Sequence, residues 1–451
     1  MSTAAIARDL CLAPERAAGE VYGGRYRRLF EGLPALDSED EALHALGAPG
    51  GICDDDADET TEGEMAAGWP FFGQFIAHDI TADRSPLGHH ADPKRIQNFR
   101  TPRTNLEGLY AAGPVGSPYL FQKDDPAKLL LGEGGHDVPR NHEGIALLGD
   151  QRNDTHLFMS QMQVAFIKTH NRIVDRLRED GVEETEIFDG ARRATTWHYQ
   201  WVILRDFLPQ LVGAELTSEL LESGPEVYTP GDDPFIPFEF ADAAYRYGHS
   251  QVRDAYAVNR DFGPVPVFPD LMGFGAVPVE HAIDWTLQFD IPGHEPAQRS
   301  KKIDGKLPSS LISLPRQISG EDEGMPYSSL ANRDLQRGQA VGLPSGEAVA
   351  RELGLRPLSA DQVGLAAAEW EGETPLWLYI LKEAEALENG DRLGPVGGRI
   401  VGEVLVGIID ADPESFRAVD PSWRPTLPSH EAGAFGIADL LIPPVDSEPA
   451  A

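Results

Sequence analysis

Cysteine is nearly absent. Only Cys11 and Cys53 occur among 451 residues, too few for a disulfide framework and in keeping with a reducing compartment. A long apolar run is missing too. The most apolar stretch, Val404 to Ile409, stops at Asp410, far short of the roughly 18 residues that a membrane span needs. The opening MSTAAIARDLCLAPER carries Arg8 and Asp9 where a secretory signal requires an unbroken apolar core, so a cytoplasmic protein is expected. Basic residues are scarce as well: 38 Lys and Arg stand against 73 Asp and Glu, a net charge of −35. A field of that sign repels nucleic-acid phosphates and anionic lipid heads, so neither nucleic acid nor membrane is an expected partner. Such a surface stays soluble in strong salt and suits a halophilic or an acid-rich host alike.

What is present is a globular composition. Hydrophobic residues make up 41% of the chain, and 46 Gly with 36 Pro are about 18% of it, below the roughly 25–30% of low-complexity disorder. Helical periodicity dominates. From His156 to Asp180, Phe158, Met162, Phe166, Thr169, Ile173 and Leu177 recur every three or four residues, which predicts one long buried helix with Asn153 or Asp154 as N-cap and Asp180-Gly181 as its stop. Further helices are predicted from Ile187 through Leu211, from Pro375 to Leu387 with Asn389-Gly390 closing it, and after Pro395. Between them run Gly-, Pro-, Asp- and His-rich segments with little alternation, such as 85–104, 224–240 and 263–279. No repeat or linker divides the chain. The expectation is an all-α fold: a single large domain over 21–445 with long irregular loops, an N-terminal extension over 1–20 and a polar tail over 446–451.

Three short segments carry chemistry. In Gly68 to Ile80, Gln74 and His78 lie one helical turn apart and share a face, walled by Trp69, Phe72, Phe75 and Ile76, which delivers a titratable imidazole into a dry aromatic setting. In Gly149-Asp-Gln-Arg-Asn-Asp154, Arg152 sits in the loop that opens the long helix; a surface pairing with Asp150 or Asp154 is its ordinary fate. In Ala244 to Ser250, Gly248 directly precedes His249 and removes a side chain from the path of a flat ligand.

Together these segments, GQFIAHD, LLGDQRND followed by THNRIVDRL, and RYGH, resemble in type and order the motifs of the animal-type haem peroxidases. The resemblance continues through YQWVILRDFLPQLVG, LANRDLQRGQAVGLPSGE, TPLWLYILKEAE and RLGPVGGRIVGEV, covering roughly residues 60 to 440. It implies a haem-dependent enzyme that reduces hydrogen peroxide through a ferryl intermediate and oxidises a small-molecule electron donor or halide. His249 corresponds to the proximal iron ligand, Glu347 to the residue that takes up its other nitrogen, and Arg246 to a partner for a haem propionate. On the opposite face His78 corresponds to the acid–base group, Arg152 to the cation that stabilises the breaking O–O bond, and Gln74 to the residue that holds distal water, peroxide or halide. A calcium ion is implied as well, with Asp79, Thr101, the Arg103 carbonyl, Asn105 and Glu107 as oxygen donors. Asn105 stands where an Asp is usual, and Glu107 restores the charge.

Two alternatives remain open. Family members acting as fatty-acid dioxygenases carry a radical-forming Tyr three residues before the proximal His, where this chain has Arg246. A catalytically silent helical binding module is the other. Members that bond haem covalently use carboxylates directly before the distal His and three residues after the distal Arg, and some add a Met next to the second. Ala77, Thr155 and His156 occupy those places, so a non-covalent haem b is expected, with aromatic donors, iodide or bromide favoured over chloride. The remaining histidines, including His89-His90 and His136 with His142, have no metal spacing, and His170 reads as a helix-packing residue.

Overall fold

The computed structural model describes residues 25–55, 61–82, 96, 98–231, 233–322 and 324–444. The expected N-terminal extension, the polar tail and the His89-His90 pair lie outside these residues. Helices dominate. Those that frame the site are α1 (Trp69–Ile80), α2 (Leu157–Glu179), α3 (Ile187–Val202), α4 (Leu330–Ala340), α5 (Leu376–Glu388) and α6 (Pro395–Asp410). Strands among the described residues are two to five residues long and pair only in twos, for example Glu62–Ala66 antiparallel to Arg299–Lys301. Two of them, Phe235–Pro237 and Val265–Pro266, fall in segments expected to be irregular.

The long helix starts differently from its expectation. Asp150, not Asn153 or Asp154, acts as a cap, and it caps a 3-10 turn over Gln151–Asp154 by accepting the Arg152 N–H. His156 is the N-cap of α2, in extended conformation and without a side-chain cap. The reason is a strand-like pairing: His156 bridges Met272, and the Leu157 N–H donates to the Leu271 carbonyl. That pairing satisfies a helix N-terminal donor which a cap would otherwise serve. At the other end Gly181, at φ +77°, lets the Val182 N–H reach back to the Leu177 carbonyl and stops the helix as expected. Beyond α3 the chain continues helically through a π turn, Ile203–Phe207, into Leu208–Val212, where Pro209 brings no N–H donor.

One cluster of buried side chains runs from Tyr26 to Leu441. Inside it α6 is apolar nearly all round and packs against α5 and the turn Ala244–His249. On the other side of that turn lies α1, which also packs on α2. Aromatic stacking fixes α1: Phe71 lies on Phe158 with centroids 4.0 Å apart, and Phe75 on Phe166 at 4.8 Å. Burial of each such ring is worth about 1.5–3 kcal/mol. Only Gln74 and Ala77 of α1 escape full burial.

Candidate active site

The incompletely buried pair on α1 marks one stripe of an otherwise enclosed helix, and His78 lies beside it, one turn after Gln74. His78 is held from behind. Its Nδ1 lies 2.7 Å from Asn153 Oδ1, and Asn153 donates its own amide to Gln163 Oε1 at 2.9 Å. This chain fixes the Asn153 oxygen toward the imidazole, puts the proton on Nδ1 and leaves Nε2 as the basic nitrogen. Burial, and then the nearby Arg152 charge, lowers the His78 pKa to about 3, so the ring is neutral over the physiological range.

Arg152 takes the bland option in part. Its Nη2 donates to Asp150 and to the carbonyls of His78 and Thr81, at 2.6 to 2.9 Å, while Nε donates to Asp150. The guanidinium is therefore anchored on the backbone of the helix turn that carries His78. Asp150 also pairs with the buried Arg100, at 2.6 Å, and two guanidinium groups hold its pKa well below the usual carboxylate range despite burial. A residue noted beforehand only for its inability to bond haem completes this face: His156 Nε2 lies 2.8 Å from Gln74 Oε1. Thr155 bonds to the Arg152 carbonyl, and Asp154 is bound twice by Arg140, at 2.7 and 2.8 Å.

On the turn Ala244–His249, His249 Nδ1 is 2.6 Å from Asp334 Oδ2. Asp334 lies on α4 with its side chain fully buried, whereas the His249 ring keeps 29% of its surface open. Asp334, and not Glu347, is therefore the carboxylate beside His249. Glu347 stands at the start of the helix Gly346–Glu352, where its carboxylate takes the N–H and hydroxyl of Thr374 at 2.8 and 2.7 Å. An acid in a first helical turn readily finds a local donor. The overlooked signal was an Asp on the inward stripe of an amphipathic helix, next to buried Ala331 and Leu335, which demands a partner. Arg246 joins the same carboxylate at 3.1 Å, with Asp242 and the Ala241 carbonyl as its other acceptors. A Cβ built on Gly248 would meet nothing within 4 Å. Open space therefore lies beside the backbone at Gly248, directly before His249.

The loop before Tyr110 folds onto α1. Asp79 accepts the N–H groups of Leu106 and Glu107, at 3.0 and 2.7 Å, and burial raises its pKa to about 7. Glu107 is bonded by Thr101 and paired with Arg100, Asn105 Nδ2 lies 3.4 Å from Thr101 Oγ1, and the Arg103 side chain turns to Asp412. Among the described residues no group of three or more His, Cys, Asp or Glu stands where it could hold a metal ion. Two buried oxygens in this loop, Asn105 Oδ1 and Thr104 Oγ1, have no hydrogen-bond partner. His170 packs as expected, bonded to Tyr110 and the Ala127 carbonyl. No described helix is long and apolar enough to cross a membrane.

A family model described as animal haem peroxidase matches residues 92–361, a stretch that includes Arg152, Arg246, His249 and Asp334 and begins after α1. Chorion peroxidase of Aedes aegypti is 24% identical over 309 residues, 65% of this chain and 37% of that protein. Thyroid peroxidase of Sus scrofa is 23% identical over 370 residues, 71% and 36%. The chain thus spans little more than a third of the length of either. Among solved structures, peroxidase A of Dictyostelium discoideum superposes with a TM-score of 0.63 at 15% identity, covering 88% of both chains. A fatty acid alpha-dioxygenase of Arabidopsis thaliana gives 0.59 at 15% identity, over 85% of this chain and 71% of that one. At these identities the structural likeness concerns the fold.

Proposed function

Because the chain belongs to the animal haem peroxidase family, we propose that it binds haem b without a covalent link, reduces hydrogen peroxide and oxidises a small-molecule donor. The observation that carries this reading is the His249–Asp334 pair. Nδ1–H on a buried carboxylate leaves the Nε2 lone pair of a part-exposed imidazole without a hydrogen-bond partner among the described residues, which is what a nitrogen that would ligate an iron needs. Haem, when bound there, supplies an iron that takes up peroxide and stores its oxidising equivalents.

This chain's residues then have separate tasks. His249 would ligate through Nε2, and Asp334 would make the imidazole a stronger electron donor. Arg246 would pair its guanidinium with a propionate. Across from them, His78 Nε2 takes the proton of hydrogen peroxide and returns it to the departing oxygen. Arg152 supports that transfer as a fixed positive charge. Gln74 holds the incoming oxygen or halide by hydrogen bond. A calcium ion held by Asp79, Thr101, the Arg103 carbonyl, Asn105 and Glu107 is part of the reading, supported by the unpartnered Asn105 Oδ1 and by the Asp79 carboxylate of α1 lying against the Glu107 backbone.

The dioxygenase alternative needs an oxidisable phenol close to the ligand. Arg246 stands three residues before His249, and the buried Tyr245 hydroxyl has no hydrogen-bond partner to receive its proton. His249→Ala should abolish haem uptake or convert the spectrum to a weakly ligated form. His78→Ala should keep the Soret band and slow the reaction with peroxide about 10²–10⁴-fold. A normal spectrum in the first variant, or an unchanged rate in the second, overturns the assignment.

A further inference from the structure

A cavity of about 360 Å³ opens between the π turn Ile203–Phe207 and the loop 430–439, and it shares no lining residue with the faces around His78 and His249. That volume suits a small organic molecule. Trp201, Phe435 and Ala438 give it an apolar wall, while Asp206, Asp290, Glu431 and Asp439 also border it. Three of these acids are spent on the protein itself. Asp206 accepts the Ile437 N–H at 2.8 Å and the Gln210 amide at 3.0 Å, and Asp290 is paired twice with Arg299. Asp439 accepts from His430 and from the Gly436 N–H. The loop is fitted closely to the turn: a Cβ on Gly436 would stand 2.6 Å from Asp206 Oδ2. Glu431 is exposed, and its carboxylate has no bond to a described residue.

Arg205, also on the cavity wall, is a cation without an answering acid. Its guanidinium lies over the Trp201 ring, 5.7 Å from the centroid, and makes no hydrogen bond or ion pair with a described residue. Arg424 lies over the same ring at 5.6 Å. Partial burial, and then the charges of Arg417 and Arg424, lower the Arg205 pKa. Arg417 is paired with Asp410, whereas the printed bonds of Arg424 run to the carbonyls of Ser422 and Trp423. Guanidiniums thus crowd one another in a chain whose net charge is −35. An anion seated on Arg205 relieves that repulsion.

We propose that this cavity binds a small aromatic monocarboxylate, its carboxylate in the Arg205 fork and its ring against Phe435 and Trp201. A guanidinium matches a planar carboxylate with two parallel N–H donors. Glu431 at the rim and the acidity of the whole chain penalise a second negative charge, which disfavours a phosphate monoester. The site does not depend on the haem reading.

The test is calorimetric titration with benzoate at low ionic strength, where the attraction is least screened, with the Soret band followed in the same samples where haem is bound. Benzoate should bind without moving that band. Acetate, which has the same head and no ring, should bind roughly tenfold or more weakly. Arg205→Gln should weaken benzoate at least tenfold, the worth of a hydrogen bond to a charged group, and Arg205→Lys, which keeps the charge and loses the fork, should recover only part. Arg205 is exposed, so both variants keep the fold. Arg193→Gln, whose guanidinium lies over Trp197 farther along α3, should leave the affinity unchanged. Absence of benzoate binding, affinity indifferent to Arg205→Gln, or a Soret shift that accompanies the binding overturns the proposal. Tighter binding of benzylamine or of inorganic phosphate than of benzoate overturns it as well.

Discussion

Asp150→Asn tests how the face around His78 is built. The carboxylate takes the backbone N–H of Arg152 and is clamped by two guanidiniums, with Arg100 Nη2 at 2.6 Å and Arg152 Nη2 at 2.7 Å from the same oxygen. Asparagine keeps one oxygen, so the cap of the 3-10 turn survives. Its amide, placed where Oδ2 was, sets donors against donors. Arg152 is about a third exposed and recovers hydration, whereas Arg100 has only 9% of its side chain open and keeps Glu107 alone as its counter-charge. Removing one partner of a buried pair costs about 3–5 kcal/mol. That is a large share of the roughly 5–15 kcal/mol that holds a typical protein folded. The sign with pH follows from the depressed folded-state pKa of Asp150. The charge stabilises the fold above the unfolded value near 4, and that contribution is lost as pH falls. Equilibrium urea unfolding, followed by tryptophan fluorescence, should therefore show wild type and Asp150→Asn far apart at pH 7 and converging below about pH 4. A loss under about 1 kcal/mol at pH 7, or a gap that does not narrow in acid, refutes the reasoning.

Other outcomes follow from the same geometry. Asp334→Asn should raise the haem reduction potential, because a neutral amide withdraws electron push from His249, while Glu347→Gln should leave the potential unchanged; spectroelectrochemistry checks both. Prolonged chelation should lower the melting temperature and haem occupancy if the 101–107 loop holds calcium; elemental analysis showing no metal in a stable, haem-loaded preparation counts against it. Acidified organic solvent should extract free protoporphyrin IX haem, because Asp154 is committed to Arg140 and neither Ala77 nor Thr155 has a carboxylate to form the link; haem that stays on the polypeptide in mass spectrometry contradicts this.

Much of the fold was legible because long helices advertise their buried face. The period of Phe158, Met162, Phe166 and Ile173 located α2, and Asp180-Gly181 and Asn389-Gly390 located two helix ends. The start of α2 was not legible, since the partner that satisfies it, Leu271, lies over a hundred residues away. In the same way, motif order brought Gln74, His78, Arg152, Arg246 and His249 into view, but not who holds them. Asn153 looked like a helix cap and instead orients His78. His156 was noticed only as a group unable to bond haem, and it grips Gln74. Glu347 and Asp334 lie in one motif, and the sequence could not reveal which faces His249, because that depends on how α4 packs behind the turn. Side chains that act were readable, whereas side chains that position them are set by tertiary contacts.

The most direct test is the absorption spectrum of the purified, haem-supplemented protein before and after one equivalent of hydrogen peroxide, and again after a phenolic donor. The account predicts the Soret band of a histidine-ligated ferric haem, shifted at once by peroxide and returned by the donor. A colourless protein, or a Soret band that peroxide leaves unmoved, contradicts it.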